Sequence, residues 1–392
     1  MTPEQTDVLI LGAGLAGSHT AETLRALGFE GRVVVCGDEP HLPYERPALS
    51  KSFLAGSATR GDLALRDPGY WQDRGIEMRP SAVVESLDVR HRTAAVGGRI
   101  IGWRRLVMAT GVRGRRLPAL DGYQNAHQLR TLDDATGLAA ELRAGMRLAV
   151  VGAGFVGLEV ASTARGLGVE VSVIDVAAVP FAASLGREVG ARMAAVAAGG
   201  GVELLMQRRV TGVAGGAHRI DALMLDDGSA VECDVVLVGI GSLPNSELAA
   251  GQLALTRDGG VAADARGRTT VEGVYACGDV ATGIDQGRIE HWTAATTTAR
   301  AVAHGLAGVP PPAPAVPYFW TEQFGHRLQV VGHPRTGWEP SVEPSGGGFA
   351  ARYHDDRGRL RAVALLDCPA LLAEARAEIT AADGDDRRSA VA

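Results

Sequence analysis

The chain has 392 residues, 46% of them hydrophobic, enough to bury more than one core, so two or three domains are expected. A formal net charge of −6 argues against a general nucleic-acid binder. No apolar run approaches the ~20 residues that cross a bilayer, and MTPEQTDVLILGAG carries no basic leader, so a soluble, cytoplasmic protein without a membrane partner is expected.

In chain order, Asp7 to Leu11 predicts a strand running into Gly12-Ala13-Gly14-Leu15-Ala16-Gly17, then a helix closing at Gly28 and a strand from Val33 to Cys36. Glu45-Arg46-Pro47-Ala48-Leu49-Ser50-Lys51 follows, and Leu106 to Ala109 predicts a further strand ahead of Thr110-Gly111. The opening pattern then recurs: Arg147 to Val151 leads into Gly152-Ala153-Gly154-Phe155-Val156-Gly157, a helix to about Gly168 and a strand from Val169 to Ile174. Val235 to Val238 precedes Gly239-Ile240-Gly241, and Val274 to Cys277 precedes Gly278-Asp279. GVPPPAPAVP, from Gly308 to Pro317, cannot hold a helix or central strand and marks a boundary. Beyond it, Phe319 to Gly332 and Phe349 to Leu366 alternate as antiparallel strands do, a short helix spans about Pro369 to Ala382, and DGDDRRSAVA is expected to be disordered.

The fold class that follows is α/β, with two Rossmann-like dinucleotide-binding domains and a small α+β C-terminal domain. In a G-x-G-x-x-G turn the first glycine makes the bend, the second admits a pyrophosphate, and the third lets helix pack on strand. Both copies here follow a strand and precede a helix, and each next strand ends near an acid, Asp38 or Asp175, at about the ~20-residue interval of a ribose-binding carboxylate. Because the Gly278-Asp279 segment comes after the second copy, a distant segment completes the first domain, one nucleotide domain being inserted into the other.

Cys36, Cys233, Cys277 and Cys368 lie far apart with no C-x-x-C pair, so neither a disulfide framework, a metal site nor a redox dithiol is signalled. Of 39 basic residues, only Lys51 is a lysine. Arginine codon bias explains the rest; the exception points to a site that needs a compact ammonium rather than a planar fork.

These stretches together resemble the FAD-dependent, NADH-linked ferredoxin reductases of bacterial Rieske oxygenase and cytochrome P450 chains, a branch of the two-dinucleotide-domain flavoproteins. The residues that carry the resemblance are Leu42 to Pro47 with Leu49-Ser50-Lys51, Ala109-Thr110-Gly111, Leu129-Arg130-Thr131, Gly154 to Glu159, Gly278-Asp279, Glu290-His291-Trp292 and Tyr318-Phe319-Trp320. It implies FAD on Gly12, Gly14, Gly17, Asp38, Arg46, Lys51, Ala109, Thr110, Arg130, Asp279 and Trp292, and NADH on Gly152, Gly154, Gly157, Glu159, Asp175 and Gly241. It also implies an FAD domain of residues 1–113 and 238–312, an NADH domain of 114–237 and an interface domain of 313–392. Lys51 would pair with Glu159 beside the flavin, with Trp320 near its ring as a route out for electrons. The implied activity takes hydride from NADH onto bound FAD and passes single electrons to a [2Fe-2S] ferredoxin that feeds an oxygenase.

Asp175 favours NADH, since it would repel a 2′-phosphate and Val176 to Gly186 offers no arginine to clasp one. Arg113, Arg115 and Arg116 could steer an acidic ferredoxin, although a solvated arginine face is the plainer reading. Asp367 and Cys368 depart from the family pattern, which puts the C-terminal contact with the flavin edge in question. A thiol-dependent reductase is disfavoured, because residues 40–60 contain no cysteine. Rubredoxin reductase, NADH oxidase and an apoptosis-inducing-factor-like redox switch share the scaffold and stay open. The oligomeric state is not legible.

Overall fold

The computed structural model describes residues 3–283, 288–312 and 315–389, with side chains to residue 382. The chain forms two compact units. Unit 1 comprises Met1–Glu45, Arg60–Arg113 and Ser242–Ala315, and unit 2 comprises Arg46–Thr59, Gly114–Gly241 and Val316–Ala392. The last crossing between them falls between Ala315 and Val316, at the end of the proline-rich stretch.

Unit 1 is built on a sheet in which Ile76–Arg79, Val33–Cys36, Glu4–Leu11 and Arg99–Met108 run parallel, with Val274–Ala276 added on Arg99–Met108. Strands with both faces covered are apolar throughout rather than alternating. Val8, Ile10, Val33 and Val35 pack on one side with the helices Leu15–Ala26 and Trp292–Ala307, while Leu9, Leu11, Val34 and Cys36 join a second core on the other. The register sets Cys36, Leu11, Met108 and Ala276 at one edge. Asp38, Gly12, Ala109-Thr110 and Gly278-Asp279 therefore all leave the sheet at its carboxyl end, where open α/β sheets bind ligands.

Unit 2 repeats the plan. Its parallel sheet has the order Glu203–Met206, Glu170–Asp175, Arg147–Val151, Val235–Val238, Ala126–His127. Ile174, Val151 and Val238 end in register, so Asp175, Gly152 and Gly239 to Gly241 emerge together. An antiparallel sheet follows, in the order Tyr318–Gln323, His326–Gly332, Leu360–Leu366, Gly348–His354, Ser341–Ser345. One face carries Leu328, Val330, Ala351 and Ala364 into the same core as Val150, Leu158 and Val160. The buried Tyr353 hydroxyl donates to the Leu185 carbonyl at 2.8 Å across that junction. The other face, with Val331, Val363 and Leu365, is covered by Ala375 and Ile379 of the helix Leu372–Ser389.

That helix runs past Ala382, where the sequence pattern placed its end. Of the tail expected to be disordered, the side chains from residue 383 onward and all of residues 390–392 lie outside the described residues.

Candidate functional site

In unit 1 the first glycine turn is fixed by close backbone approach. Gly12 has φ +112°, and a Cβ there would stand 2.0 Å from the Ala109 carbonyl oxygen; one on Gly17 would stand 1.9 Å from that of Gly12. Glycine is required at both for different reasons, the first for its dihedral and both for their contacts. Gly14 begins the helix Leu15–Ala26 with no side-chain cap and no acid in the first turn. Gly278 sits against Ala16, which brings Asp279 to the helix start, and Gly37 sits against Ala13, which brings the exposed Asp38 alongside. Thr110 is held by Asn245, its hydroxyl donating to the Asn245 carbonyl at 2.6 Å and its own carbonyl accepting from Nδ2 at 3.0 Å.

Unit 2 copies the device. Gly152 has φ +113° and a Cβ there would lie 2.3 Å from the Gly239 carbonyl, while one on Gly157 would lie 2.1 Å from that of Gly152. The helix Phe155–Gly166 again starts at an uncapped glycine, Gly154, with no acidic first turn. A Cβ on Gly154 would meet nothing within 4 Å. Two helix starts whose N–H groups face open turns are a donor set that fits the pyrophosphate of a dinucleotide. Asp175 braces the second turn: Oδ2 accepts from the Ala153 N–H at 2.6 Å and Oδ1 from that of Ala177 at 2.8 Å. Gly241, at φ +99°, accepts at its carbonyl from the Arg115 N–H.

The sole lysine meets the expected partner. Lys51, on the π-helical turn Leu49–Phe53, places Nζ 2.6 Å from Glu159 Oε2. Glu159 is 7% exposed, one turn into the helix that begins at Gly154. Burying a carboxylate is costly unless it is paired and fully hydrogen-bonded, and this one is. The Ser50 hydroxyl donates to Oε2, and the Thr321 hydroxyl donates to Oε1 at 2.7 Å. Gln323 Nε2 donates in turn to Thr321 Oγ1 at 2.9 Å. Lys51 Nζ also donates to the Pro47 carbonyl at 3.1 Å, and Arg46 Nη1 to that of Arg130 at 2.6 Å. Ser50, Thr321 and Gln323 were not singled out from the sequence.

The structure thus gathers Gly12, Gly14, Gly17, Asp38, Ala109, Thr110 and Asp279 in unit 1. It gathers Gly152, Gly154, Gly157, Asp175 and Gly241 in unit 2, where Lys51 and Glu159 meet and Arg46 meets Arg130. Trp292 opens the helix Trp292–Ala307 in unit 1, its indole nitrogen buried without a hydrogen bond. Burial raises the Glu45 carboxyl above its usual range, and the nearby Trp292 N–H opposes that shift without meeting it in bonding geometry. Trp320 lies in unit 2, half-buried and stacked on Tyr318 with ring centroids 5.8 Å apart and Arg327 against its face.

All four cysteines are buried and free, and burial pushes the thiols of Cys36 and Cys233 up to about 11 and that of Cys277 up to about 12. Among the described residues no His/Cys/Asp/Glu group could hold a metal, and no helix is long and apolar enough to cross a membrane. Arg113 is paired with Glu247 at 2.6 Å and Arg116 with Asp121 at 3.0 Å. Asp367 accepts from the Arg327 N–H at 2.8 Å and lies 2.6 Å from His326 Nδ1, and the Cys368 thiol donates to the Ser345 and Leu366 carbonyls.

The family model described as pyridine nucleotide-disulphide oxidoreductase matches residues 6–299. The chain belongs to that family. Within it the chain is 39% identical over 390 residues to the ferredoxin reductase component of a chlorobenzene dioxygenase from Cupriavidus sp. (strain PS12), covering 95% of this chain and 94% of the relative. It is 36% identical to the ferredoxin–NAD(+) reductase subunit of the Pseudomonas putida benzene 1,2-dioxygenase system, covering 92% and 89%. The crystal structure of the covalent putidaredoxin reductase–putidaredoxin complex contains a chain that superposes with TM-score 0.91 at 32% identity, covering 96% of this chain and 93% of that one. The family resemblance and the α/β fold of two dinucleotide-binding domains read from the motifs are borne out. The protein is an oxidoreductase that uses a flavin and NAD(H).

Proposed function

We propose that the protein is an FAD-bearing, NADH-oxidising reductase that delivers single electrons to a [2Fe-2S] ferredoxin feeding an oxygenase. The observation that carries this reading is the Lys51–Glu159 pair: the segment where a thiol reductase of this family needs its cysteine carries instead an ammonium held 2.6 Å from a buried carboxylate. The three other thiols, like Cys36, are buried.

The carboxyl edge of unit 1 suits the FAD pyrophosphate and ribose through Gly12, Gly14, Gly17 and Asp38, with Ala109, Thr110, Asp279 and Trp292 beside them. Arg46, Lys51 and Arg130 are proposed for FAD on the family resemblance alone. NADH is proposed on Gly152, Gly154, Gly157, Glu159, Asp175 and Gly241. A flavin bound there supplies the conversion of a two-electron donor into one-electron deliveries. The chain's own part is to align and to set charge: Lys51 offers a compact cation and Glu159 keeps it in place. Trp320, on the strand that carries Thr321, offers an aromatic face toward the surface, and the ferredoxin partner follows from the relatives' chemistry.

The test is anaerobic titration of the purified protein with NADH, followed by cytochrome c reduction with and without an added [2Fe-2S] ferredoxin. Rapid flavin bleaching and ferredoxin-dependent cytochrome reduction are expected. Fast oxygen consumption without ferredoxin would instead mark an oxidase, and very slow turnover with a long-lived reduced complex a redox switch.

A further inference from the structure

The strand Tyr318–Gln323 turns two polar side chains inward. Thr321 and Gln323, on the same row as the half-buried Phe319, are 1% and 2% exposed, while on the opposite row Tyr318 and Trp320 are half-buried and Glu322 is exposed. Thr321 and Gln323 do not serve the sheet's own ladder with these side chains; they form a directed chain of donors ending on Glu159. The direction is fixed by chemistry. Gln323 Nε2 can only donate, so Thr321 Oγ1 accepts from it and spends its single proton on Glu159 Oε1. Gln323 Oε1 is left buried without a partner, a cost that a leucine or methionine of similar size would avoid. Glu159 Oε2 is engaged separately by Ser50 and Lys51.

We propose that Thr321, oriented by Gln323, is a positioning residue that pins one oxygen of Glu159 so that the other stays on Lys51. This rests on the reading of the Lys51–Glu159 pair given above and deepens it. The two carboxylate oxygens are held from opposite partners, Thr321 on one and Ser50 with Lys51 on the other, so the plane of the carboxylate is fixed. Without the Thr321 hydroxyl the carboxylate can rotate about its last bond, and the Lys51 ammonium loses its fixed address. The backbone also ties this strand's end to the same helix, since the Phe324 N–H donates to Ser162 Oγ at 2.6 Å. Helix and strand thus stay in register when the side-chain link alone is cut.

The experiment is a double-mutant cycle on the flavin-loaded protein with Thr321→Val, Glu159→Gln and both together, and Thr321→Ser as the conservative rescue. Two quantities are read: the rate constant for flavin reduction by NADH in anaerobic stopped flow, and the flavin midpoint potential at equilibrium without turnover. Thr321→Val is expected to change the rate constant, and the equilibrium constant derived from the potential, by about tenfold each, the lower end for one lost hydrogen bond to a charged group. Thr321→Ser restores both, and in the Glu159→Gln background Thr321→Val changes neither. An equal effect in both backgrounds, or none in the wild-type background while Glu159→Gln alone acts, overturns the positioning role. Glu159→Gln leaving both quantities unchanged fails the reading of the pair itself, and the positioning role with it. If Thr321→Val does not accumulate with flavin, Gln323→Met takes its place: a smaller change of the same sign, abolished by Glu159→Gln, supports the proposal, and an additive one refutes it.

Discussion

Asp175 accepts a hydrogen bond from the backbone N–H of Ala153, two residues that the chain separates by a helix and a strand and the sheet edge brings to 2.6 Å. The carboxylate read from sequence as a ribose ligand is thus also the brace of the glycine turn. Asp175→Ala should therefore weaken binding of either nicotinamide cofactor, raising KM for NADH by about tenfold, the value of a charged hydrogen bond. It should also erode discrimination, since a carboxylate repels a 2′-phosphate by roughly 1 to 4 kcal/mol at about 4 Å. Steady-state kcat/KM for NADH and NADPH in both proteins checks this; an unchanged ratio contradicts the proposed NADH preference.

Two alanine substitutions one residue apart from Ala153 should fail differently. Gly152→Ala forces a Cβ to 2.3 Å from the Gly239 carbonyl at φ +113°, and the dihedral alone costs about 1 to 3 kcal/mol. Gly154→Ala meets no protein atom, so the melting temperature should hold while the methyl occupies the approach of a phosphate. Thermal melts and NAD+ titration separate the two: the first variant loses Tm, the second loses affinity at native Tm.

Removing the lysine strips Glu159 of its counter-charge. Breaking a buried pair by deleting one partner costs about 3 to 5 kcal/mol. The Lys51 side chain is 23% exposed, so the lower end applies. Lys51→Ala should lower Tm by several degrees and slow flavin reduction by NADH, both visible in the same preparation by melting and stopped flow. An unchanged reduction rate would leave the pair with a structural role alone.

The buried thiols set a pH dependence and a reactivity. Cys36, Cys233 and Cys277 titrate higher in the folded chain than the ordinary value of 9.0, so folding keeps protons that the unfolded chain releases. Stability from this source is complete below pH 9 and declines as pH rises toward 11 and 12. Chemical denaturation between pH 7 and pH 10.5 should show the loss. At pH 8 the native protein should resist a thiol-specific disulfide reagent and keep its NADH oxidation rate, with four thiols reacting after unfolding. Rapid inactivation at one native cysteine would reopen the thiol-dependent mechanism.

Trp320 should matter after NADH has reacted rather than before. Trp320→Ala removes the ring stacked on Tyr318 without touching Glu159 or the glycine turns. Ferredoxin-dependent cytochrome c reduction is expected to fall by tenfold or more, on the order of 1.4 kcal/mol in barrier, with stopped-flow flavin reduction unchanged. Equal loss in both assays would place Trp320 in the nucleotide site instead.

Much of this was legible because glycine turns, apolar parallel strands and acids at strand ends follow from local rules. Arg147–Val151 and Val235–Val238 occupy the residues the pattern gave them. What the alternating pattern concealed was which row of the strand Tyr318–Gln323 faces inward. Period-two reasoning puts Phe319, Thr321 and Gln323 on one row, and a buried carboxylate is why the two polar members of that row face inward. Asp175 was legible as an acid at the right interval, but its bond to Ala153 depends on loop geometry that spacing does not encode. The pairing of Arg113 with Glu247 joins residues far apart in sequence and left no local trace.

Trp320 and Thr321 are covalent neighbours pointing to opposite sides of one strand, and that adjacency constrains how the gene can vary. Loss or gain of a single codon between Tyr318 and Gln323 would exchange the two faces, setting an indole against Glu159 and a hydroxyl at the surface. Length changes in relatives should accordingly fall outside this hexapeptide, and chimeras that swap C-terminal segments should be joined before Tyr318 or after the turn at Gly325, never within.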